Sequence, residues 1–288
     1  MTNPHELQAP RRDTAVTARQ HGETMSLGTG FEALSFSHRQ LDGMMDPLIM
    51  VDHFTMTEPT FGAHAHAGLS AVSVLFEDST GTFRNRDSLG NDIGLAPGDL
   101  YWLRAARGAV HDEAPTPGSR THGLQLFVNM PASDRQQAPA SLHVPAGQMP
   151  VLEGTGHRVR VMTGESNGVA GVTPPALPLA ILDIHLEPGG NFAHPVAPDH
   201  AAWIHAIRGE VMVELDGETH LVSGQQALAV RNTGVIGMSS LSGGQAVLLS
   251  GKPLHEPFIQ RGPFAMRNAE ELAAVVAAHE AGELGAID

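Results

Sequence analysis

The chain has 288 residues, a net charge of −14 from 17 basic and 31 acidic side chains, and no cysteine. This length allows one large domain or two ordinary ones. Without cysteine, the protein has no disulfides, thiolate metal ligands or cysteine nucleophiles. The acidic balance argues against direct binding of nucleic acid, which requires a basic surface. The chain also has 17 histidines, the side chains that most often supply imidazole ligands to metals.

The first twenty residues are polar, include three arginines and lack the apolar stretch of a signal peptide. No apolar run approaches the roughly 20 residues that a membrane span requires. We therefore expect a soluble, cytoplasmic protein without membrane contact.

Short apolar runs separated by glycine and proline predict many short strands, as in a sandwich or barrel. The predicted strands include Ala71–Phe76, Leu100–Leu103, Gly123–Asn129, Ala180–Leu186, Val211–Leu215 and Ala246–Leu249. One helix is predicted near the C-terminal end, where Asn268 can cap it, Glu271 follows three positions later and Gly282 can end it. Its apolar face must pack on a barrel.

A faint internal repeat is visible, because strands and turns follow in the same order in both halves. The turn at Pro97-Gly98-Asp99 corresponds to the turn at Ser223-Gly224. Two copies of one β-barrel unit explain this pattern. We predict a first barrel over residues 1–134, a proline-rich linker over 135–150 and a second barrel over 151–288 that lacks metal ligands and ends in the helix.

Two short motifs indicate metal chemistry. Residues i and i+2 of a strand share a face, so His64 and His66 can point to one place, and His111 and Glu113 can do the same. If the two strands lie in one barrel, four ligands converge in its interior. Three imidazoles and one carboxylate suit a divalent ion of iron, nickel, copper, cobalt, manganese or zinc. A HxH motif on one strand and a later histidine after a Pro-Gly turn form the general cupin pattern. In this chain the later histidine belongs to an HxE motif about 45 positions after HxH.

The chain further resembles the pirin family, whose members are two-domain cupins. The resemblance covers nearly the whole chain, with a looser match in the middle. The matching residues are Asp46-Pro47, Asp52-His53-Phe54, His64-x-His66-x-Gly68, Arg86-Asp87-Ser88-x-Gly90-Asn91, Pro97-Gly98-Asp99, Trp102, Arg107-Gly108, Val110-His111-x-Glu113, His122-Gly123-Leu124-Gln125, Gly251-Lys252-Pro253, Glu256-Pro257 and Gly262-Pro263-Phe264-x-Met266.

The resemblance implies an all-β bicupin with a single metal ion, usually iron as Fe(II), held by His64, His66, His111 and Glu113. Some pirins are quercetin 2,3-dioxygenases, and others are regulators that bind transcription or metabolic proteins. The chain departs from the family pattern at three positions. Ala67 replaces an arginine, Ser70 a glutamate and Asn85 a histidine.

The sequence thus supports two hypotheses. In the first, the protein is a metal-dependent dioxygenase that opens a flavonol-like ring with O2, and Glu113 serves as catalytic base. In the second, it is a non-enzymatic metal- or redox-sensing regulator with a protein partner. A storage cupin without a reaction is a third, weaker reading. A cavity that reaches the metal would favour the enzyme. We expect a monomer, because two barrels already pair within the chain.

Other residues received provisional roles. Met56, Phe61, Trp102, Phe127 and Met130 are candidates for the mouth of the site, against the alternative that they are ordinary core. His122 and Gln125 are candidates to support the ligands. His53 is expected in a turn. The remaining candidates, His194, His200 and His205, are not expected to form a second metal site.

Overall fold

In the computed structural model, which describes residues 14–287, strands dominate and one α-helix lies near the end of the chain. The strands of the first half are β1 Ala15–Val16, β2 Gln20–His21, β3 Glu23–Leu27, β4 Phe31–Ser37, β5 Leu48–Met56, β6 His64–His66, β7 Leu69–Leu75, β8 Phe83–Asp87, β9 Asp92–Leu95, β10 Leu100–Arg104, β11 Ala109–Pro115, β12 Thr121–Asn129 and β13 Ala140–Val144. The later strands are β14 Val151–Gly154, β15 His157–Thr163, β16 Glu165–Ser166, β17 Val169–Ala170, β18 Leu179–Leu186, β19 Asn191–Pro195, β20 Ala201–Leu215, β21 Glu218–Ser223, β22 Gln226–Arg231, β23 Val235–Ser239, β24 Gly244–Gly251, β25 Ile259–Arg261 and β26 Phe264–Met266. A 3-10 turn spans Ala146–Gln148, and α1 spans Ala269–Glu280. The predicted fold class, two cupin-type barrels with a C-terminal helix, is confirmed.

The first barrel consists of two sheets. Seven strands in the order β13-β10-β7-β12-β5-β4-β3 form one sheet, and four strands in the order β6-β11-β8-β9 form the other. The central strand β7 is buried along its whole length, because one of its faces meets the barrel interior and the other meets the second barrel. The strands β6 and β11, which carry the predicted ligands, lie in the smaller sheet.

The second barrel is built around the long strand β20, which pairs with β22 and β24 through its first part and with β21 and β23 through its second. The register shifts between Ala206 and Arg208, where the strand passes from one set of partners to the other. An apolar cluster from β15, β18, β20, β22, β23 and β24 fills the interior of this barrel.

The two barrels pack face to face through a shared apolar core. This core includes Trp102 of the first barrel and Trp203 of the second, neither more than 1% exposed. Phe36 meets Trp203 edge to face, with ring centroids 5.5 Å apart. Burial of each such side chain contributes about 1.5–3 kcal/mol, so the interface is a continuous core rather than a loose domain contact.

The ends of the described chain are exchanged between the barrels. The first strands, β1 and β2, pair with β22 of the second barrel. Near the other end, Phe264 of β26 forms a β-bridge with Ala67, which follows β6. Both residues belong to an apolar cluster that also includes Val275 of α1. The stretch 135–150, predicted as the linker, contains β13 as an edge strand of the first barrel. Each barrel is therefore completed by a segment from the other half of the chain, and residues 140–144 belong to the first barrel.

A chain of histidine hydrogen bonds crosses the interface between the barrels. The Nδ1 atom of His53 lies 2.9 Å from His205 Nε2, and its Nε2 lies 2.8 Å from His122 Nε2. At the ends, His205 Nδ1 donates to the Gln226 carbonyl, and His122 Nδ1 lies 2.8 Å from Asp78 Oδ1. His53 thus lies within β5 and not in the expected turn. His122 belongs to this series of hydrogen-bonded histidines, whereas the sequence suggested that it supports the metal ligands.

Burial keeps two of these three rings neutral near pH 7. It lowers the pKa of His205 to about 4. Burial together with the neighbouring His205 and His122 lowers the pKa of His53 to about 2.

The helix α1 begins as the sequence predicts. The Asn268 side-chain oxygen accepts a hydrogen bond of 2.9 Å from the Glu271 amide, and the carboxylate of Glu271 accepts one from the Arg267 amide. Gly282 follows the helix with a positive φ of 73°. Among residues 14–287, no helix combines the length and apolar character needed to cross a membrane.

Candidate metal centre

Three histidines of the first barrel converge because two strands pair in a particular register. His111 of β11 lies directly opposite His64 of β6, and His66 shares the face of His64. His111 Nε2 is 2.9 Å from His66 Nε2 and 3.1 Å from His64 Nε2. These are three of the four ligands predicted from the sequence.

The outer nitrogens of two of these rings are held by backbone carbonyls. His64 Nδ1 lies 2.8 Å from the Gly62 oxygen, and His66 Nδ1 lies 3.3 Å from the Pro263 oxygen. Since carbonyls only accept, both rings carry their hydrogen on Nδ1 when neutral, and each directs the lone pair of Nε2 toward His111. His111 can donate to only one of them, so hydrogen bonding alone leaves lone pairs facing one another.

Burial keeps the inner rings neutral. Burial, assisted by the neighbouring His64, lowers the pKa of His66 to about 3, against a small opposing effect of the Pro263 carbonyl. Burial and the other two histidines also bring the pKa of His111 well below its usual value. Neutral imidazole is the form that binds a metal ion.

The separations fit a first-row metal ion. Two nitrogen ligands about 2.1 Å from an ion and at right angles to each other lie about 3.0 Å apart, which matches the two measured distances. A cation also explains the facing lone pairs of His64, His66 and His111. The donor set therefore fits a metal, whereas its identity is not fixed by three imidazoles.

Glu113 lies in the same cavity but outside the tight group of nitrogens, whose ligand atoms are within 4.8 Å of one another. Its Oε1 accepts a 2.6 Å hydrogen bond from Ser73, and its Oε2 is 3.7 Å from His111 Nδ1. Burial raises the pKa of Glu113 to about 7, partly opposed by the Ser73 hydrogen bond. A carboxyl with this pKa can accept or release a proton near neutral pH.

The segment after the second barrel completes the site. Gly68 has a positive φ of 75°, and a Cβ there would lie 2.0 Å from the Ala265 oxygen. The missing side chain lets β26 approach, so that the Ala265 amide donates to the Ala67 carbonyl over 3.0 Å. This approach brings Pro263 to His66. Ala67 itself is fully buried in the same cluster, on the face opposite His66.

A cavity of about 150 Å³ reaches the three histidines. Its walls consist of eight apolar and six polar residues: Met25, Phe31, Met50, Phe54, Met56, Phe61, Phe83, Phe127, and Asp52, His64, His66, His111, Glu113, Gln125. No lysine or arginine is among these lining residues. Such a wall suits a flat, uncharged ring.

Several lining residues differ from those expected. Met56, Phe61 and Phe127 line the cavity, as does Gln125. Trp102 instead lies in the core between the barrels, and Met130 is buried outside the cavity wall. Sequence reasoning missed Ser73 and Asp52, although each occupies a strand position that shares a face with a lining residue.

Two histidines that the sequence did not assign to a metal site, His194 and His200, have other contacts. His194 Nδ1 lies 2.9 Å from the Ser166 hydroxyl, and His200 lies near Asp199. A second compact set of ligand-type atoms consists of Glu77, Asp183 and His185. Its carboxylates are already paired with arginines, including the buried Arg160.

Fold and site together define a class, the two-barrel cupins with a histidine cluster in the first barrel. Comparison with known proteins identifies the family. The pirin family model matches residues 20–128, and the model of the pirin C-terminal cupin domain matches residues 181–285. Human pirin is 31% identical over 241 residues, which cover 81% of this chain and 80% of that protein. The chain belongs to the pirin family.

Other relatives broaden this comparison. A Pseudomonas aeruginosa protein whose name proposes quercetin 2,3-dioxygenase activity is 30% identical over 79% of this chain and 82% of its own. The crystal structure of a quercetin 2,3-dioxygenase from Acinetobacter baumannii superposes with a TM-score of 0.83 at 24% identity, covering 95% of this chain and 98% of that one. Bacterial pirin YhhW from Escherichia coli in complex with nickel(II) gives 0.64 at 17% identity, covering 84% and 100%. The two structures share the fold.

Proposed function

We propose that the protein is a metal-dependent dioxygenase that opens a flavonol, quercetin-like ring with O2 in the cytoplasm. The observation that carries the proposal is the apolar cavity that leads to His64, His66 and His111. The relatives named as quercetin 2,3-dioxygenases support it. The monomeric state expected from the sequence stays a prediction.

In this proposal His64, His66 and His111 hold one divalent ion, Fe(II) first among the candidates, and Glu113 is either a fourth ligand or lies beside it. When bound, the ion supplies charge stabilisation and dioxygen chemistry. The protein residues bind the substrate, exclude water and manage its proton.

Glu113 is placed to accept the proton of the substrate's enolic hydroxyl. Its raised pKa leaves it partly ionised near pH 7, and the Ser73 hydroxyl orients one of its oxygens. The phenylalanines and methionines of the wall hold a planar ring and keep bulk water from the reacting carbon. Both oxygen atoms enter the product, and one ring carbon leaves as carbon monoxide.

The alternative is a non-enzymatic, metal- or redox-sensing regulator that binds a transcription or metabolic protein. The human relative is named pirin, a name that states no enzymatic activity. A regulator does not require an open route to its metal, so the cavity favours the enzyme.

The deciding experiment measures metal by elemental analysis on protein purified without added metal, then quercetin depletion in air. We expect near one equivalent of metal and turnover. A His64→Ala/His111→Ala variant is expected to lose both. A His157→Ala/His220→Ala variant of the second barrel serves as a matched control and should retain both.

Metal without turnover of quercetin would contradict the dioxygenase and favour the regulator. Failure to bind metal even after reconstitution would contradict the metal site itself.

A further inference from the structure

Asp52 is a second buried carboxyl in the cavity, and the proposed reaction gives it no role. It lines the wall and is only 7% exposed, and no group of residues 14–287 makes a hydrogen bond to its Oδ1. A buried carboxylate oxygen without a hydrogen-bond donor destabilises the protein unless a ligand supplies one. The cavity is the side from which a donor can reach it.

Asp52 belongs to a row of polar residues that crosses the larger sheet. In register, Ser35 faces Asp52, Asp52 faces Gln125, and Gln125 faces Ser73. Directly opposed residues share a face of the sheet, so all four point to the barrel interior. The row ends at Ser73, whose hydroxyl donates to Glu113.

The row places the carboxyl groups of Asp52 and Glu113 at a fixed distance from each other. Asp52 lies two strands from Ser73, or about 10 Å at the usual strand spacing. The Ser73 hydroxyl lies 2.6 Å from Glu113 Oε1 and 2.9 Å from Gln125 Oε1, so both of the acceptors that it can reach lie away from Asp52. Neither Ser73 nor its hydrogen is then available to Asp52.

The chemistry of the wall says what Asp52 can bind. No lysine or arginine is among the described residues that line the cavity, so this part of the protein offers no cation to Asp52 there. Burial raises the pKa of Asp52 to about 6, partly opposed by Ser35, so the carboxyl is mostly ionised at pH 7. A ligand must therefore bring a hydrogen, whereas a ligand carboxylate would be repelled by Asp52 and Glu113.

We propose that Asp52 accepts a hydrogen bond from a phenolic hydroxyl at the end of the substrate remote from the metal, and so selects substrates that carry this hydroxyl. The proposal rests on the proposed function, because it assumes that an aromatic substrate occupies the cavity. It adds a specificity-determining residue that takes no part in the reaction at the metal.

The test is a binding titration of metal-loaded protein with a flavonol in the absence of oxygen. Binding is monitored through the change in flavonol absorbance. Quercetin carries hydroxyls on both ends, and 3-hydroxyflavone carries only the enolic one. We expect wild type to bind quercetin about tenfold more tightly or better, as a hydrogen bond to a charged group allows. Asp52→Leu should abolish this preference while 3-hydroxyflavone binding stays within about twofold.

Two further variants make the result unambiguous. Asp52→Asn keeps the shape and part of the acceptor capacity, so it should show an intermediate preference and decides the case if Asp52→Leu does not fold. Glu32→Gln changes an exposed carboxylate on the neighbouring strand β4 and should leave the preference unchanged. Metal content is measured for each protein.

If the Asp52 variants bind quercetin and 3-hydroxyflavone more weakly by the same factor, the proposal is overturned, since Asp52 would then have a structural role. An unchanged quercetin preference would overturn it as well. If wild type binds neither flavonol, the proposed function fails and takes this inference with it, which is a different result from either of the others.

Discussion

At the scale of single residues, the site depends on which atom of each ring carries a hydrogen. The Gly62 and Pro263 carbonyls decide this for His64 and His66, and they do so through backbone atoms. The sequence could predict the ring types and their shared faces, because strand periodicity is local. It could not predict the carbonyls, since any residue can supply one and Pro263 lies 197 positions from its partner.

We expect Glu113 to make metal binding depend on pH. Its pKa of about 7 in the metal-free protein means that a metal ion bound through this carboxylate displaces a proton below pH 7, whereas His66 and His111 are already neutral. We expect the apparent affinity for Ni²⁺, measured by calorimetric titration, to fall about tenfold per pH unit from pH 7 to pH 5. Glu113→Gln should bind more weakly at pH 7 and show a smaller dependence on pH. Equal dependence in both proteins would argue against Glu113 as a ligand.

Gly68 is expected to tolerate no side chain. Alanine there combines a left-handed backbone with a contact to the Ala265 backbone oxygen that cannot relax. Gly68→Ala should lower the free energy of unfolding by about 2 kcal/mol or more, measured by urea denaturation, and weaken metal binding. Gly118 has a similar φ of 82° and open space around it, so Gly118→Ala isolates the backbone effect and should cost only about 1 kcal/mol. Equal losses would show that the close approach of β26 is unimportant.

At the scale of elements, strands β5 and β12 each have one face in the cavity of the first barrel and the other against the second barrel. On β5, Asp52 faces the cavity and the adjacent His53 faces the second barrel. Alternation in the sequence identifies the two faces but not what covers each, because both are buried. This is why Trp102 could be mistaken for a residue of the mouth.

The C-terminal helix shows the same limit. Asn268 and Glu271 predict its beginning from local chemistry, and the structure confirms that cap. The apolar face predicts only that a partner exists. The partner is the first barrel, reached through β26, since Phe264 and Val275 share a cluster with Ala65.

Phe264 is therefore expected to stabilise a barrel that its own half of the chain does not form. It is 6% exposed and packs with Ala65 and Ala67. Phe264→Ala should lower the free energy of unfolding by about 3–5 kcal/mol in chemical denaturation. The folded variant should also bind metal more weakly, because Pro263 is its neighbour. Leu241→Ala, at a side chain that is 80% exposed, is the control and should change neither quantity.

At the scale of the whole molecule, the histidine chain makes the contact between barrels sensitive to acid. The pKa of His205 is about 4 in the folded protein and about 6.5 in an unfolded chain. Between these values only the unfolded state binds the proton, so stability falls as pH falls, by up to about 1.4 kcal/mol per pH unit from this residue.

His205→Gln should remove that contribution. The variant is expected to be less stable than wild type at pH 7, because the chain is broken, but to lose less stability between pH 6.5 and pH 4. Denaturation curves at four pH values measure both slopes. His220→Gln, in the second barrel but outside the chain, should keep the wild-type slope. A His205→Gln slope equal to that of wild type would contradict the neutral state of His205.

The exchange of chain ends has a consequence for the order of events during synthesis. When a ribosome has extruded only the first 130 residues, His64, His66 and His111 already exist, but Pro263 and β26 do not. The nascent barrel therefore offers three imidazoles of which one is not yet oriented. The finished site, with its ring fixed and its flank covered, arises only once the second barrel has been translated. Binding of a metal ion in the final geometry of the site would therefore require that the polypeptide has been translated through Pro263 and β26.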